Sequence, residues 1–433
     1  MKAKTKKKQS PVLTKTEAVT HAKPSKIILL LLVAMTGVAP IALYMLVPAL
    51  PTLAVTFDRD ISIAQMTVSL FMVGIAVSQM VMGPLSDKYG RKPVLLGGLG
   101  LAVVATIGCA FAASLPQLIV WRFLQALGGA TGMVISRAII RDLYTRERVG
   151  GMISLVIAVM MIVQMLSPLM GGLIETAYGW RAIFYALAAA SILIVLGIAF
   201  ALPETRRRAP VTDDSGFRRD MGALFGDRAF VGYVLCYVFA SALIFVFAGA
   251  GPFIVVNQMG RTSAEYGAWF ATSGLAYLIG NLFSARFSPR IGIERMIWIG
   301  LVIQISGAAL NLVFGFAGIN QVPIWLFGAH MLVTFGNAFV MSNTAAGAIS
   351  IRPYAAGAAS GIMGFSQMGF GSLISQGGAY LGGHFATPLP MNIALFGMSL
   401  ACAAMMLFIV PRRPPAVTAE DAKKAEEEES GLL

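Results

Sequence analysis

An arginine and a histidine lie inside long apolar runs of this sequence. Arg122 falls within the run 116–140, and His330 falls within the run 322–350. An ionisable side chain in such a run is costly to bury and is a functional hypothesis by default. Each residue also has a structural alternative. Arg122 could reach outward to a polar surface, and His330 could be held by a bond to a backbone carbonyl.

Acidic side chains are missing from the centres of the apolar runs. Four acidic residues near the runs lie at run ends or in loops, namely Asp58, Asp60, Glu175 and Glu265. Without a central carboxylate, nothing would balance the charge of a bound cation. We therefore expect neutral or weakly acidic ligands rather than cations.

Two short segments combine glycine with residues that shape a helix or its end. Gly83–Lys92 reads GPLSDKYGRK, in which Asp87 can approach the positive end of a helix and Arg91 can form a bidentate pair with a carboxylate such as Asp142. Ser167–Gly172 reads SPLMGG, in which proline kinks a helix and glycines let a neighbouring helix approach. An ordinary basic loop and a generic kinked helix are the respective alternatives.

The composition shows which solvent surrounds these segments. The 433 residues are 57% hydrophobic and 12% charged, with a mean hydropathy of +0.76. Soluble domains carry about 25% charged residues, so this chain belongs in lipid. The three cysteines lie in apolar runs and predict no disulfide framework. We predict that the protein is not an enzyme, since no HExxH, paired intramembrane aspartates, GxSG–His pair or GxxxxGK[ST] is found.

Twelve apolar runs approach or exceed the roughly 20 residues that a membrane span needs. They lie at 27–50, 62–82, 94–113, 116–140, 150–173, 181–202, 229–256, 266–286, 294–317, 322–350, 357–382 and 388–410. They predict an all-α membrane protein with twelve transmembrane helices in two six-helix halves. The predicted parts are a basic tail 1–26, a bundle 27–202, a linker 203–228, a second bundle 229–410 and a tail 411–433.

The net charge of +13 raises nucleic acid as a partner for a soluble protein. Here the excess lies in loops and tails. With the N-terminus in the cytoplasm, 29 of the 33 lysines and arginines fall on the cytoplasmic side, Arg137 among them, and Arg59, Arg181 and Arg261 lie outside. The charge therefore predicts topology, with both termini cytoplasmic and no nucleic-acid partner.

The two halves carry traces of a duplication. Gly83–Lys92 and the segment Ala285–Glu294 are similar and lie 202 residues apart. Trp121 and Gly132 recur as Trp325 and Gly336, at an offset of 204. A nearly constant offset predicts a parallel repeat of six spans, which is a known way to build transporters.

The motifs resemble those of the major facilitator superfamily. Gly83–Lys92 is similar to its signature G-x-L-x-D-x-x-G-R-K, and Arg122–Gly129 is similar to R-x-x-Q-G, with Ala126 in place of the glycine. The resemblance implies a role for Arg122 in proton coupling. It also implies a cytoplasmic latch that stabilises the outward-open state, with the members Gly83, Asp87, Gly90, Arg91 and Asp142.

A narrower resemblance points to drug exporters. Ser167–Gly172 resembles the antiporter motif G-P-x-x-G-G, whose matching residues here are Pro168, Gly171 and Gly172. Leu46–Pro51 and the region 257–269 make residues 27–410 similar to the Bcr/CflA drug:proton antiporters. That group has an aspartate where this chain has Tyr44. The remaining candidates for proton coupling are His330 and, through a neighbour or water, Arg122.

By analogy with the superfamily, spans 1, 4, 7 and 10 line a central cavity. The candidate lining residues are Tyr44, Gln125, Met133, Tyr237, Phe245 and Asn337, with Gln164, Asn281 and Gln367 as secondary polar groups. The resemblance implies a monomeric multidrug exporter of the bacterial inner membrane, which exchanges neutral, phenicol-like drugs for protons without a cofactor. An importer, or an exporter of a small metabolite, is the alternative.

Overall fold

The computed structural model describes residues 26–144, 146–205, 222, 224–352 and 356–410. In this part of the chain all regular elements are helical, and twelve helices have 20 residues or more. They are α1 (Lys26–Leu46), the short α2 (Leu50–Thr56), α3 (Ile61–Tyr89), α4 (Arg91–Ala110), α5 (Leu115–Leu143), α6 (Arg146–Tyr178), α7 (Trp180–Ala201), α8 (Arg228–Phe253), α9 (Ser263–Ile291), α10 (Ile293–Phe316), α11 (Pro323–Ile351), α12 (Ala356–His384) and α13 (Leu389–Phe408). The predicted tails and most of the predicted linker lie outside the described residues.

Each predicted apolar run coincides with one long helix. Ten helical segments among the described residues are long and apolar enough to cross a membrane, and α1 joins α2 in one of them, Ile27–Thr56. The other two long helices, α9 and α12, are less apolar, and α12 contains nine glycines. The prediction of twelve helices is confirmed.

The turn between α3 and α4 differs from the predicted loop. Because α3 continues through Tyr89 and α4 begins at Arg91, only Gly90 interrupts the helices. Gly90 has φ 105° and ψ 154°, and Gly292, 202 residues later, has φ 89° and ψ 152°. These conformations favour glycine. The predicted run 62–82 ends before the helix does, because the polar residues that follow it stay helical through Tyr89.

The helix packing follows the repeat. The two halves meet where α3 packs on α12 and where α6 packs on α9. These helices correspond to spans 2, 11, 5 and 8. In each contact the second span of one half packs on the fifth span of the other half. A six-span repeat with a pseudo-twofold relation between its halves gives this arrangement.

Hydrophobic packing differs between the two ends of the molecule. We call the end that holds Arg91, Arg141 and Arg290 the basic end, and the end that holds Arg59, Arg181 and Arg261 the opposite end. Towards the opposite end, one large cluster contains residues from both halves. Towards the basic end each half has a separate cluster. The halves are therefore joined at the opposite end and diverge towards the basic end.

Candidate functional site

Arg122 is fully buried where α5 meets α1 and α3. Its guanidinium donates to the carbonyl oxygens of Ala42 at 3.0 Å and Thr67 at 3.2 Å, and to Oε1 of Gln125 at 2.7 Å. Its Cζ lies 3.9 Å from the centroid of the Phe71 ring. The alternative in which Arg122 reaches outward to a polar surface is wrong, because neighbouring helices surround the side chain completely.

The described hydrogen-bond partners of Arg122 are all uncharged, and none of the described ion pairs includes it. Gln125 continues the network, since its Nε2 donates to Oγ1 of Thr106 at 2.8 Å and that hydroxyl donates to the carbonyl of Ala102 at 2.6 Å. A hydrogen bond to a charged group contributes about 1.5–3 kcal/mol, which offsets part of the desolvation of the guanidinium. Hydrogen bonds to carbonyl, amide and hydroxyl groups therefore connect α1, α3, α4 and α5, and no carboxylate takes part in this network.

A tyrosine and a glutamine form a pair in each half. The side chains of Tyr44 on α1 and Gln164 on α6 lie within interaction range of each other. The hydroxyl of Tyr237 on α8 donates to Oε1 of Gln367 on α12 at 3.2 Å. In both cases the first span of a half contacts its fifth span, so the repeat relates the two pairs. The pairing could have been found in the sequence only by knowing which helices face each other.

His330 lies on α11 in the other half from Arg122. Its ring stacks on Phe247, with centroids 3.6 Å apart and planes 8° apart. The side chain is buried, and Nδ1 has no hydrogen-bond partner among the described residues. The alternative of a backbone-bonded histidine is therefore not found at Nδ1. A proton on this ring would place an uncompensated charge in the shared apolar cluster.

The other predicted cavity residues are packed rather than open. Met133, Phe245 and Asn337 are buried, and Nδ2 of Asn337 donates to the carbonyl of Ala240 at 3.0 Å, which ties α11 to α8. Of the six predicted lining residues, Tyr237 alone is not buried. In this conformation the centre of the predicted cavity is closed.

The charged residues of the α3–α4 turn form a compact cluster. Arg91 Nη1 lies 2.6 Å from Asp87 Oδ1 and donates to Oγ of Ser86 at 2.6 Å, while its Nε lies 3.3 Å from Oδ2 of Asp142. The predicted partner of Arg91 is thus found, but the predicted bidentate geometry is not, because Arg91 is shared between two carboxylates. Each of these contacts joins two elements of the N-terminal half.

The carboxylate that lies at the N-terminus of α4 is that of Glu204, a residue of the predicted linker. Its two oxygens accept from the backbone N–H groups of Arg91 and Lys92, both at 3.0 Å. A Cβ on Gly90 would lie 2.9 Å from Oε2 of Glu204, so glycine is needed there for packing as well. At Gly83 a Cβ would lie at an ordinary 3.8 Å from Val134, so the packing at this position does not require glycine.

Gly171 and Gly172 lie at two different helix contacts. A Cβ on Gly171 would fall 2.7 Å from the carbonyl carbon of Met45 on α1, within the same half. A Cβ on Gly172 would fall 2.8 Å from the carbonyl carbon of Ser263 on α9, in the other half. The backbone of Pro168 fills the space beside Gly267 of α9 in the same way. This motif therefore forms part of the junction between the halves.

The second junction, between α3 and α12, is polar at the opposite end. Nε2 of Gln65 donates to Oγ of Ser375 at 2.7 Å, and Oγ of Ser372 donates to the carbonyl of Ser69 at 2.9 Å. The two junctions together close the opposite end. The arrangement can change access to Arg122 if the junctions separate.

Asp60 and His384 add the one described ion pair between the halves. Nε2 of His384 lies 3.5 Å from Oδ2 of Asp60, and it is charged only when protonated. The backbone N–H of Ser62, and to a smaller extent His384, lower the pKa of the Asp60 carboxyl. Asp60 thus stays ionised at neutral pH, and the strength of this contact depends on the proton carried by His384.

Comparisons with known proteins agree with this architecture. The sequence profile of the Major Facilitator Superfamily matches residues 32–376. The chain is 27% identical to the multidrug resistance protein MdtL of Escherichia coli O127:H6, over 88% of this chain and 95% of that one. It is 26% identical to the bicyclomycin resistance protein homolog of Haemophilus influenzae, over 82% and 89%. A crystal structure of a D-xylose–proton symporter superposes with a TM-score of 0.71 at 16% identity, over 89% of this chain and 97% of that one, which shows the fold. The chain therefore belongs to the Major Facilitator Superfamily, whose members are membrane transporters and not enzymes.

Proposed function

We propose that this protein exports amphipathic drugs from bacteria by alternating access, in exchange for protons. The basic end faces the cytoplasm, in keeping with the excess of lysine and arginine there. Drug binds from the cytoplasm between the diverging halves. It leaves once the halves have closed at the basic end and opened at the opposite end.

The observation that carries the proposal is the position of Ser167–Gly172. Its residues Pro168 and Gly172 pack backbone against backbone on α9, where the two halves close the opposite end. A motif that resembles the antiporter signature thus lies where access must change. Two relatives whose names refer to drug or bicyclomycin resistance give further support.

The coupling mechanism rests on Arg122 and His330. Both side chains are buried in the closed cavity, and none of the described ion pairs gives His330 a carboxylate there that could balance a proton on its ring. A charged imidazole is therefore compatible with a hydrated cavity and costly in the closed one. Binding and release of the proton would then change which conformation is stable. Arg122 supplies a permanent positive charge that interacts electrostatically with the proton on His330.

The test is transport in everted vesicles prepared from a host that lacks its own drug pumps. We expect uptake of chloramphenicol to require the proton gradient and to be lost in Arg122→Ala, because three charged hydrogen bonds disappear. Arg141→Ala removes an exposed arginine from the same helix and serves as the matched control. Transport of lipophilic cations but not of neutral drugs would contradict the proposal, and so would full activity of Arg122→Ala.

A small metabolite remains the second candidate cargo. The same fold carries a sugar–proton symporter, but the similarity shows the fold alone. A drug-susceptibility panel in a host that lacks its own drug pumps separates the two candidates. Resistance to at least one drug supports export of drugs, whereas gradient-driven transport of a metabolite with no change in any susceptibility supports the alternative.

A further inference from the structure

Tyr277, which is not among the predicted cavity residues, lies on the face of α9 that points towards the centre of the molecule. Seven residues earlier on this face, the ring centroid of Phe270 lies 6.4 Å from that of Tyr44 and 6.5 Å from that of Phe247. These two contacts reach the N-terminal and the C-terminal half. Seven residues are two helical turns, or about 10.5 Å. Since α9 ends at the basic end with Arg290 in its last turn, Tyr277 lies two turns nearer to the side where the halves diverge.

The side chain of Tyr277 faces an inner surface rather than the packed centre. It is partly exposed, although helices surround it. It lies within interaction range of Tyr44 on α1 and Tyr237 on α8. Tyr237 is likewise partly exposed, whereas Tyr44 is buried. A side chain that helices enclose and water still reaches lines an internal opening, so Tyr277 and Tyr237 mark the inner end of the opening between the halves.

The hydroxyl groups at this inner end have acceptors of different strength. Tyr237 donates to the amide oxygen of Gln367 at 3.2 Å. Tyr277 donates to Sδ of Met341 on α11 at 3.6 Å, and a thioether is a weak acceptor. Asn281 is also within interaction range, but its described hydrogen bond runs from Nδ2 to the Tyr277 carbonyl at 2.9 Å. Tyr277 therefore carries the hydroxyl proton that a better acceptor can most readily redirect.

This arrangement suits a neutral ligand that carries an oxygen acceptor. A carbonyl, amide or nitro oxygen accepts a phenol proton more strongly than a thioether does. The tyrosine rings and Met341 supply apolar surface, and methionine adapts to the shape of the ligand body. Arg137 lies within interaction range of Tyr237, and its positive charge disfavours a cation there.

We propose that Tyr277 is a specificity-determining residue, whose hydroxyl leaves Met341 and donates to a carbonyl, amide or nitro oxygen of the drug. The inference rests on the proposed function and deepens it, because it names the group that a neutral drug presents. The exchange costs little, since the hydrogen bond to sulfur is weak and a stronger one replaces it. Drugs without an oxygen acceptor leave the contact between Tyr277 and Met341 in place and gain nothing from the hydroxyl.

Two conservative variants with opposite expected effects test the proposal. Tyr277→Phe removes the hydroxyl and keeps the ring, whereas Met341→Leu removes the competing sulfur and keeps an apolar side chain of similar size. Each variant, and the two combined, is prepared as full-length protein in lipid nanodiscs. The control, Tyr185→Phe, removes an exposed hydroxyl from α7.

Two neutral fluorescent naphthalenes serve as probes. 6-Propionyl-2-dimethylaminonaphthalene carries a ketone oxygen, and N-phenyl-1-naphthylamine carries no oxygen. Each is titrated into the nanodiscs, with the signal of empty nanodiscs subtracted. The comparison is made between variants for one probe at a time, so differences in brightness between the probes do not enter.

We expect Tyr277→Phe to weaken binding of the ketone about two- to tenfold, which is the range for one net hydrogen bond. Met341→Leu should tighten it, because the hydroxyl then has no sulfur partner to leave. The double variant should bind the ketone as Tyr277→Phe does, since the sulfur acts through the hydroxyl. Binding of the oxygen-free probe should stay unchanged throughout, which also shows that the variants are folded, and Tyr185→Phe should change neither probe.

A purely structural role of Tyr277 gives a different pattern. Equal changes for both probes, no change for either, or weaker binding of the ketone in Met341→Leu would overturn the proposal. Wild-type protein that does not bind the ketone would overturn it as well.

Transport of the ketone in everted vesicles separates this proposal from the proposed export. If wild-type protein binds the ketone through Tyr277 but the proton gradient drives no uptake, export fails and the site stands. If wild-type protein takes up the ketone and Tyr277→Phe binds it and takes it up equally well, export stands and the site fails.

Discussion

Replacing Gly172 with alanine tests the idea that backbone contact between the halves closes the opposite end. The new Cβ would lie 2.8 Å from the carbonyl carbon of Ser263 and 3.0 Å from Cα of Ala264. Ordinary contact begins at 3.4 Å, so α6 and α9 must separate by about 0.6 Å or more. Overpacking of this kind costs about 1–3 kcal/mol. The cost falls on the closed state alone, which corresponds to about a 5- to 150-fold shift towards opening.

The shift is measured by the reaction of a cysteine at the opposite end with a membrane-impermeant maleimide. Ser375→Cys places this thiol on α12, where Ser375 is buried against Gln65 in the closed state. The native cysteines are buried and contribute a low background. We expect the labelling rate to rise with the fraction of open molecules, at least about fivefold when Gly172→Ala is added.

Two further alanine substitutions in α6 control this experiment. Gly151→Ala has no atom within 4 Å of the new Cβ and reports the intrinsic helix preference of alanine. Gly171→Ala clashes with Met45 inside one half, so it should lower stability without changing the labelling rate. If Gly172→Ala labels no faster than Gly151→Ala while remaining folded, the glycine contact does not control opening.

Three other substitutions address the charges and polar groups. Tyr44→Asp should extend drug resistance to lipophilic cations, because it adds a negative charge where the pair with Gln164 now lies; an unchanged susceptibility profile would show that position 44 does not meet substrate. His330→Gln should leave drug binding intact but remove the dependence of transport on the pH gradient in everted vesicles, and retained dependence would exclude His330 as the proton site. Glu204→Gln should lower the free energy of unfolding by about 1 kcal/mol, because the N-terminus of α4 loses a charged partner. A thermal midpoint equal to that of wild type would contradict this.

The number of helices could be predicted from hydrophobic runs because lipid exposure imposes the same requirement on every span. Helix ends could not, since a helix continues into water for as long as its residues favour it. The α3–α4 turn illustrates the point, because polar residues through Tyr89 stay helical until Gly90. The positive φ at Gly90 could be expected from the residue type, because the sequence has glycine there and again at the equivalent Gly292.

Tertiary partners were harder to predict than single residues. Arg122 could be recognised from its apolar surroundings, but its acceptors include the carbonyls of Ala42 and Thr67, and backbone groups leave no mark in a sequence. Glu204 carried a weak signal at most, as a carboxylate just beyond an apolar run.

The chemistry of the two junctions explains how the halves could separate without unfolding. At the α3–α12 junction the buried contacts are hydrogen bonds between neutral groups, such as the Gln65–Ser375 bond, and the Asp60–His384 pair lies at its exposed rim. Water can replace each of these contacts once the end opens. At the α6–α9 junction glycine brings backbones together, Gly172 against Ser263 and Gly267 against Pro168. Each half retains its own cluster towards the basic end, so its internal packing does not depend on the junctions. The cost of opening is then confined to the shared cluster. There, a hydrated cavity in turn removes the cost of charging His330, which links the position of the halves to the proton.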